Sequence, residues 1–217
     1  MRTNPASGGT DSHIEKGQAR SEIRQRLRAA THDIHVRLDH HPLLAGITKP
    51  AYPLAFYRQV LLGYFCLYLM LEKAIATAIA REGLDFDYKA RLKLPWINAD
   101  LKYLGLETLA AEHFPRHDIG PFVINNPAQL AGTLYAIEGS TLGGQVIARH
   151  VAKNLGLTST AGARFFNGYG EETAERWHAF EGFMQRSCVD ESSQRQACDA
   201  AVSTFLIVER TLNEYKA

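Results

Sequence analysis

The segment from Pro127 to Asn154 constrains the fold most, because it reads as one long helix while carrying glycines that oppose one. Leu130, Leu134, Ile137 and Thr141 fall on one side of a helical wheel. Gly132, Gly139 and Gly143 fall within about 40° of one another on roughly the opposite side. A glycine in a helix interior costs about 1 kcal/mol relative to alanine, so the strip costs on the order of 3 kcal/mol and something must offset it. Bare backbone can press against a neighbouring helix, as in small-xxx-small packing, or against a flat ligand. Gly139-x-x-x-Gly143 alone leaves both open. The adjacent pair Gly143-Gly144 loosens the helix and lets it kink, so that it can lie along a planar ring and offer it backbone groups.

The rest of the chain shares the helical period. Ile23, Leu27, Ala30, Ile34 and Leu38 repeat on one face, which predicts a first helix from about Arg20 to Leu38. Pro42, Gly46 and Pro50 break the pattern. Ala51 to Arg81 then reads as a second helix ending near Gly83, with a wide apolar face that includes Phe56, Val60, Leu61, Phe65, Tyr68, Leu69 and Leu71. Short helical pieces are expected around Tyr88 to Leu94 and Asn98 to Leu104, separated by Pro95. Pro127 suits a helical first turn, and Gly156 a stop. Two further helices, from Glu171 to Arg186 and from Ser192 to Tyr215, follow the turn at Asn167-Gly168-Tyr169-Gly170. No segment alternates with a two-residue period, and the expectation is a single all-α bundle over residues 19–217 behind a loose polar tail, Met1 to about Gln18.

Composition narrows the function. The 217 residues carry 24 Lys plus Arg against 23 Asp plus Glu, a net +1 that gives no reason to expect nucleic acid or an anionic membrane as partner. Three cysteines, Cys66, Cys188 and Cys198, make a poor disulfide framework and fit a reducing, cytoplasmic setting. The apolar stretch from Val60 to Leu71, closed by Glu72 and Lys73, is too short to span a bilayer, and the N-terminus lacks the apolar core of a signal peptide.

On the first helix, His35 lies at the edge of the apolar face and Arg28 only about 20° from it, two turns earlier. An imidazole with a fixed positive charge some 10 Å along the axis suits a ligand with a metal at its centre and carboxylates at its rim. Taken alone, a histidine at an apolar edge is more often a hydrogen-bonded boundary residue than a ligand.

These two segments resemble a known family. Arg28-Ala-Ala-Thr31-His32-Asp-Ile-His35 is similar to the region around the axial histidine of heme oxygenases, and Gly139-Ser140-Thr-Leu-Gly143-Gly144-Gln145 is similar to their distal-helix signature. Tyr135-Ala-Ile-Glu138-Gly139-Ser140 is worded most like the bacterial enzymes that supply biliverdin to bacteriophytochromes. The resemblance implies oxidative opening of heme to biliverdin, carbon monoxide and iron, with heme as both substrate and cofactor and dioxygen as oxidant. It makes His35 the proximal iron ligand and places the face of Gly139, Gly143 and Gly144 over the distal side. Arg28 matches a propionate-binding position, His32 stands where lysine is usual, Thr31 belongs to the proximal motif, and Arg176 and His178 match a later basic pair loosely. Many family members carry an aspartate directly after the first signature glycine. This chain has Ser140, whose hydroxyl can hold a water but brings no charge, so a heme- or bilin-binding protein without turnover is the alternative.

No flavin or nicotinamide motif is visible, which implies an external electron donor such as a ferredoxin or flavin reductase, and a bilin acceptor such as bacteriophytochrome as a further partner. A carboxylate-bridged di-iron centre would need two Glu-x-x-His motifs, and only Glu175-x-x-His178 is present. His113-Phe-Pro-Arg-His117 has ligand spacing, but Pro115 interrupts the helix that would use it.

Overall fold

A computed structural model describes residues 11–107 and 122–216, with side chains from residue 22 onward. Among these residues there is no strand, only helices: α1 (Asp11–Asp39), α2 (Leu54–Glu82), α3 (Leu94–Tyr103), α4 (Pro127–Leu155), the short α5 (Arg164–Asn167), α6 (Thr173–Ser187) and α7 (Glu191–Glu214). His113, Pro115 and His117 lie outside the described residues.

Helix ends follow the local chemistry. Asn126 caps α4 by accepting the Gln129 N–H at 2.9 Å, Pro127 occupies its first turn, and Gly156 closes it in the left-handed conformation at φ 70°. Gly83 closes α2 in the same way. Asp190 and Ser193 form a reciprocal capping box at the start of α7. Pro95 begins α3 rather than separating two helical pieces, since a first-turn proline loses no hydrogen bond, and the preceding Tyr88 region contributes only a 3-10 turn, Lys89–Arg91. α1 is helical from Asp11, ahead of the start expected near Arg20 and inside the segment expected as tail. Once packing fixes the later turns, adding polar residues to a helix end costs little.

The core runs along α2, α4 and α7, with Leu61, Leu71, Ile75, Leu130, Leu134, Ala197 and Leu212 among its fully buried members. α2 is 29 residues long and apolar enough to cross a membrane by length and composition, more than the stretch from Val60 to Leu71 implies. Much of its apolar face is buried against α3 and α7. Of the residues expected on that face, Val60, Leu61, Tyr68 and Leu71 are buried, while Phe56 is exposed. On α1 the buried face is Ile23, Leu27, Thr31, Ile34 and Leu38; Ala30, expected there, is exposed. Arg24–Glu181 and Arg37–Glu209 ion pairs tie α1 to α6 and α7. The three cysteines are thiols, and Cys66 is buried with Sγ 2.8 Å from the Tyr215 hydroxyl.

Candidate functional site

α1 and α4 each pack on α6 and α7, but among the described residues they do not pack along one another. They meet at a hydrogen bond between the side chains of Thr31 and Tyr135. Thr31 also donates to the Leu27 carbonyl at 2.8 Å, which fixes its rotamer. One turn beyond this contact stand His35 on α1 and Gly139 on α4.

His35 is exposed, its side chain 62% accessible. Its Nδ1 lies 3.3 Å from Asp39 Oδ2, one turn on, and its ring meets Phe205 of α7 edge-on at 6.0 Å. Asp39 thus stands beside Nδ1, where a carboxylate can orient the ring and leave Nε2 for a ligand. Asp39 sits at i+4 from His35, a spacing legible in the sequence.

α4 carries an open stripe. Tyr135, Gly139, Leu142, Gly143 and Val146 fall within about 100° of the helix circumference. Leu142 and Val146 are 43% and 46% exposed, unusual for large aliphatic side chains. A Cβ built on Gly143 would meet nothing within 4 Å, and one on Gly139 would touch only the Trp177 ring, at 3.7 Å. Gly132 and Gly144 differ: a Cβ there would come within 2.0 Å of the Ala197 carbonyl oxygen and 2.8 Å of the Phe166 carbonyl oxygen. Helix packing therefore accounts for Gly132 and Gly144, and an open face remains at Gly139 and Gly143.

Ser140 is exposed and donates to the Ile137 carbonyl at 2.7 Å. Its hydroxyl is also within hydrogen-bonding reach of Tyr68 on α2. Burial holds the Tyr68 phenol well above the usual range, with nearby Tyr64, Glu138 and Glu72 adding to the effect. Tyr68 is thus a permanently protonated donor. Its apolar-face position on α2 marks it as core in the sequence, and no local signal announces the contact.

The basic residues divide. Arg28 and Arg24 both lie near the Tyr135 hydroxyl, and Arg24 and His178 share Glu181, at 3.3 Å and 3.7 Å. Arg28, Arg24, His178 and Tyr135 therefore gather near Thr31. Arg24 was recognisable as i−4 from Arg28. His32 is exposed, about 60° around α1 from His35. Arg176, about 200° around α6 from His178, is not brought there. It pairs with Glu172 at 2.9 Å, and its carbonyl accepts from Arg91 at 3.1 Å.

Among the described residues no group of three or more His, Cys, Asp or Glu is placed to hold a metal ion. The exposed imidazole of His35 and the open aliphatic stripe of α4 instead suit a flat macrocycle that brings its own iron and most of its own ligands.

The heme oxygenase family model matches residues 21–214, and the chain belongs to this family. No curated protein matches the sequence. Solved structures share the fold at low identity. A Neisseria meningitidis heme oxygenase bound to NO and CO aligns with TM-score 0.71 and 20% identity over 89% of this chain and 91% of its own. The heme oxygenase of Leptospira interrogans gives 0.69 and 14% over 88% and 98%. Heme oxygenase-2 of Synechocystis, in complex with heme and NO, gives 0.67 and 14% over 89% and 84%.

Proposed function

We propose that this protein opens heme to biliverdin, carbon monoxide and ferrous iron, drawing dioxygen and electrons from outside. One observation carries the reading: an exposed imidazole with a carboxylate 3.3 Å from its Nδ1 stands one turn past Thr31 on α1, and Tyr135, which Thr31 approaches, begins a stripe of α4 that is open at Gly143. When bound, heme supplies the iron at which dioxygen is activated and the ring that is cleaved.

The chain's own residues do the rest. His35, with Asp39 beside its Nδ1, would hold the heme iron through Nε2. Arg28 and Arg24, with Tyr135 and His178 beside them, bind the propionates and so set the rotation of the ring in its plane. Gly139 and Gly143 let backbone approach the distal side, and Leu142 and Val146 keep bulk water from the ring face. Gly144, pressed on the Phe166 carbonyl, locks the height of that turn. Tyr68 donates toward Ser140 Oγ, so that the pair can hold and pass a proton without a carboxylate at position 140. Electrons come from a ferredoxin or flavin reductase, and the product passes to a bilin acceptor. The three thiols support a reducing, cytoplasmic setting.

Ser140 favours the one competing reading, a heme- or bilin-binding protein without turnover. Purified protein with hemin, ascorbate and catalase separates them: we expect loss of the Soret band and biliverdin in the chromatogram. A hemin complex that persists supports the binding protein, and no Soret complex at all overturns both.

A further inference from the structure

Behind the open stripe of α4 lies a group of charges that the reaction above does not use. Glu138 is 1% exposed. Its Oε2 accepts from Arg91 Nη1 at 2.8 Å, its Oε1 from Lys93 Nζ at 3.0 Å, and both oxygens lie within 3.0 Å of the Tyr169 hydroxyl. Lys93, itself 1% exposed, also donates to the Arg91 carbonyl and to Tyr169. Glu72, buried on α2, accepts the Lys93 and Leu94 backbone N–H groups. Among the described residues the buried Tyr88 hydroxyl has no hydrogen-bond partner, and Glu72, Tyr68, Glu138 and Tyr169 lie near enough to act on it electrostatically. Two cations and two carboxylates thus balance in the interior, a costly arrangement that bare stability does not demand, since apolar residues of equal volume serve a core as well or better.

The arrangement reaches the distal side by two routes. Glu138 immediately precedes Gly139 and Ser140 in α4, and its carboxylate acts electrostatically on Tyr68, the phenol that touches Ser140. We propose that Glu138 is a positioning residue of the distal side, supplying from behind α4 the negative potential that Ser140 lacks, so that protons are held at the Tyr68–Ser140 pair and at any ligand facing it. This rests on the heme reading above. Arg91, Lys93 and Tyr169 set the strength of that potential: the cations offset it, and the hydroxyl orients the carboxylate.

The sign of each charge gives a test that structural damage does not imitate. The acid–alkaline transition of the ferric hemin complex, followed in the Soret band, adds a negative charge on the distal side. Glu138→Gln leaves Arg91 and Lys93 opposed only by Glu72, so the transition should move to lower pH by on the order of half a unit or more. Lys93→Met removes a positive charge and should move it up. Tyr169→Phe keeps every charge and should stay within about 0.2 unit. Melting of each apo variant checks folding; should Lys93→Met not fold, the double variant Glu138→Gln/Lys93→Met, with the local balance restored, should return the transition to within about 0.2 unit of wild type. Shifts of the same sign for both charge variants, or none for Glu138→Gln, overturn the proposal. A wild-type protein that forms no hemin complex overturns the heme reading and this inference with it, whereas a normal wild-type titration with unmoved variants overturns only the inference.

Discussion

Gly132 and Gly143 share one face of one helix and have opposite surroundings. Gly132 is pressed against the backbone of α7, where a Cβ would fall 2.0 Å from the Ala197 oxygen; Gly143 faces open space. Angle on a wheel does not decide a residue's role when the helix outruns its neighbour. At 29 residues α4 is about 40 Å long, and α7 crosses tightly at its first turns. Beyond that crossing, among the described residues, a Cβ at Gly139 would meet only the Trp177 ring of α6 and one at Gly143 would meet nothing. A motif of glycines thus has a packing half and an open half.

The difference can be broken at either end. Gly132→Ala should cost about 3 kcal/mol in urea unfolding, because backbone rather than a movable side chain stands in the way. Gly144→Ala, with 2.8 Å to the Phe166 oxygen, should cost about 2 kcal/mol by the same measurement. Gly143→Ala should instead raise stability by up to about 1 kcal/mol through helix propensity alone. Gly143→Leu should fold as well as wild type yet weaken hemin binding at least about tenfold in a Soret titration, equivalent to about 1.4 kcal/mol. If Gly132→Ala and Gly143→Ala move stability equally, the division of α4 is wrong.

The smallest expected effect lies near the C-terminal end of α7, at an ion pair to α1. The Arg37 hydrogen bond holds the Glu209 carboxyl below its ordinary value. Its contribution to stability is therefore complete above the unfolded carboxylate range and disappears as pH falls through the lowered folded value. Glu209→Gln should lower the melting temperature slightly at neutral pH, where that contribution is complete, and leave the acid end of the profile almost unchanged, the small size being that of a partly exposed pair.

Periodicity and end signals carried the helices. The face of Ile23, Leu27, Ile34 and Leu38, the proline at 127 and the glycines at 83 and 156 act locally, so they are readable without tertiary knowledge. Pro95 misled because a proline that breaks a helix and one that begins it look alike in isolation. The site was legible where it is local: His35, Arg28 and the glycines lie on two segments, and Asp39 and Arg24 were one turn away. Other parts were beyond reach. Tyr68 meets Ser140 across 72 positions of chain, and Glu138 finds Arg91 and Lys93 across 47 and 45. Such pairings are set by the packing of whole helices, and a buried charge carries no mark of its partner. Arg176 fell the other way, since two basic residues two positions apart on a helix point to different surfaces.

The most direct measurement is the absorption spectrum of hemin bound to His35→Ala, with and without added imidazole. An exposed residue on a folded helix should change stability little when truncated. The account predicts a variant of unchanged helicity that loses the wild-type Soret spectrum and regains it with imidazole. A variant that binds hemin with the wild-type spectrum, imidazole or not, would contradict it.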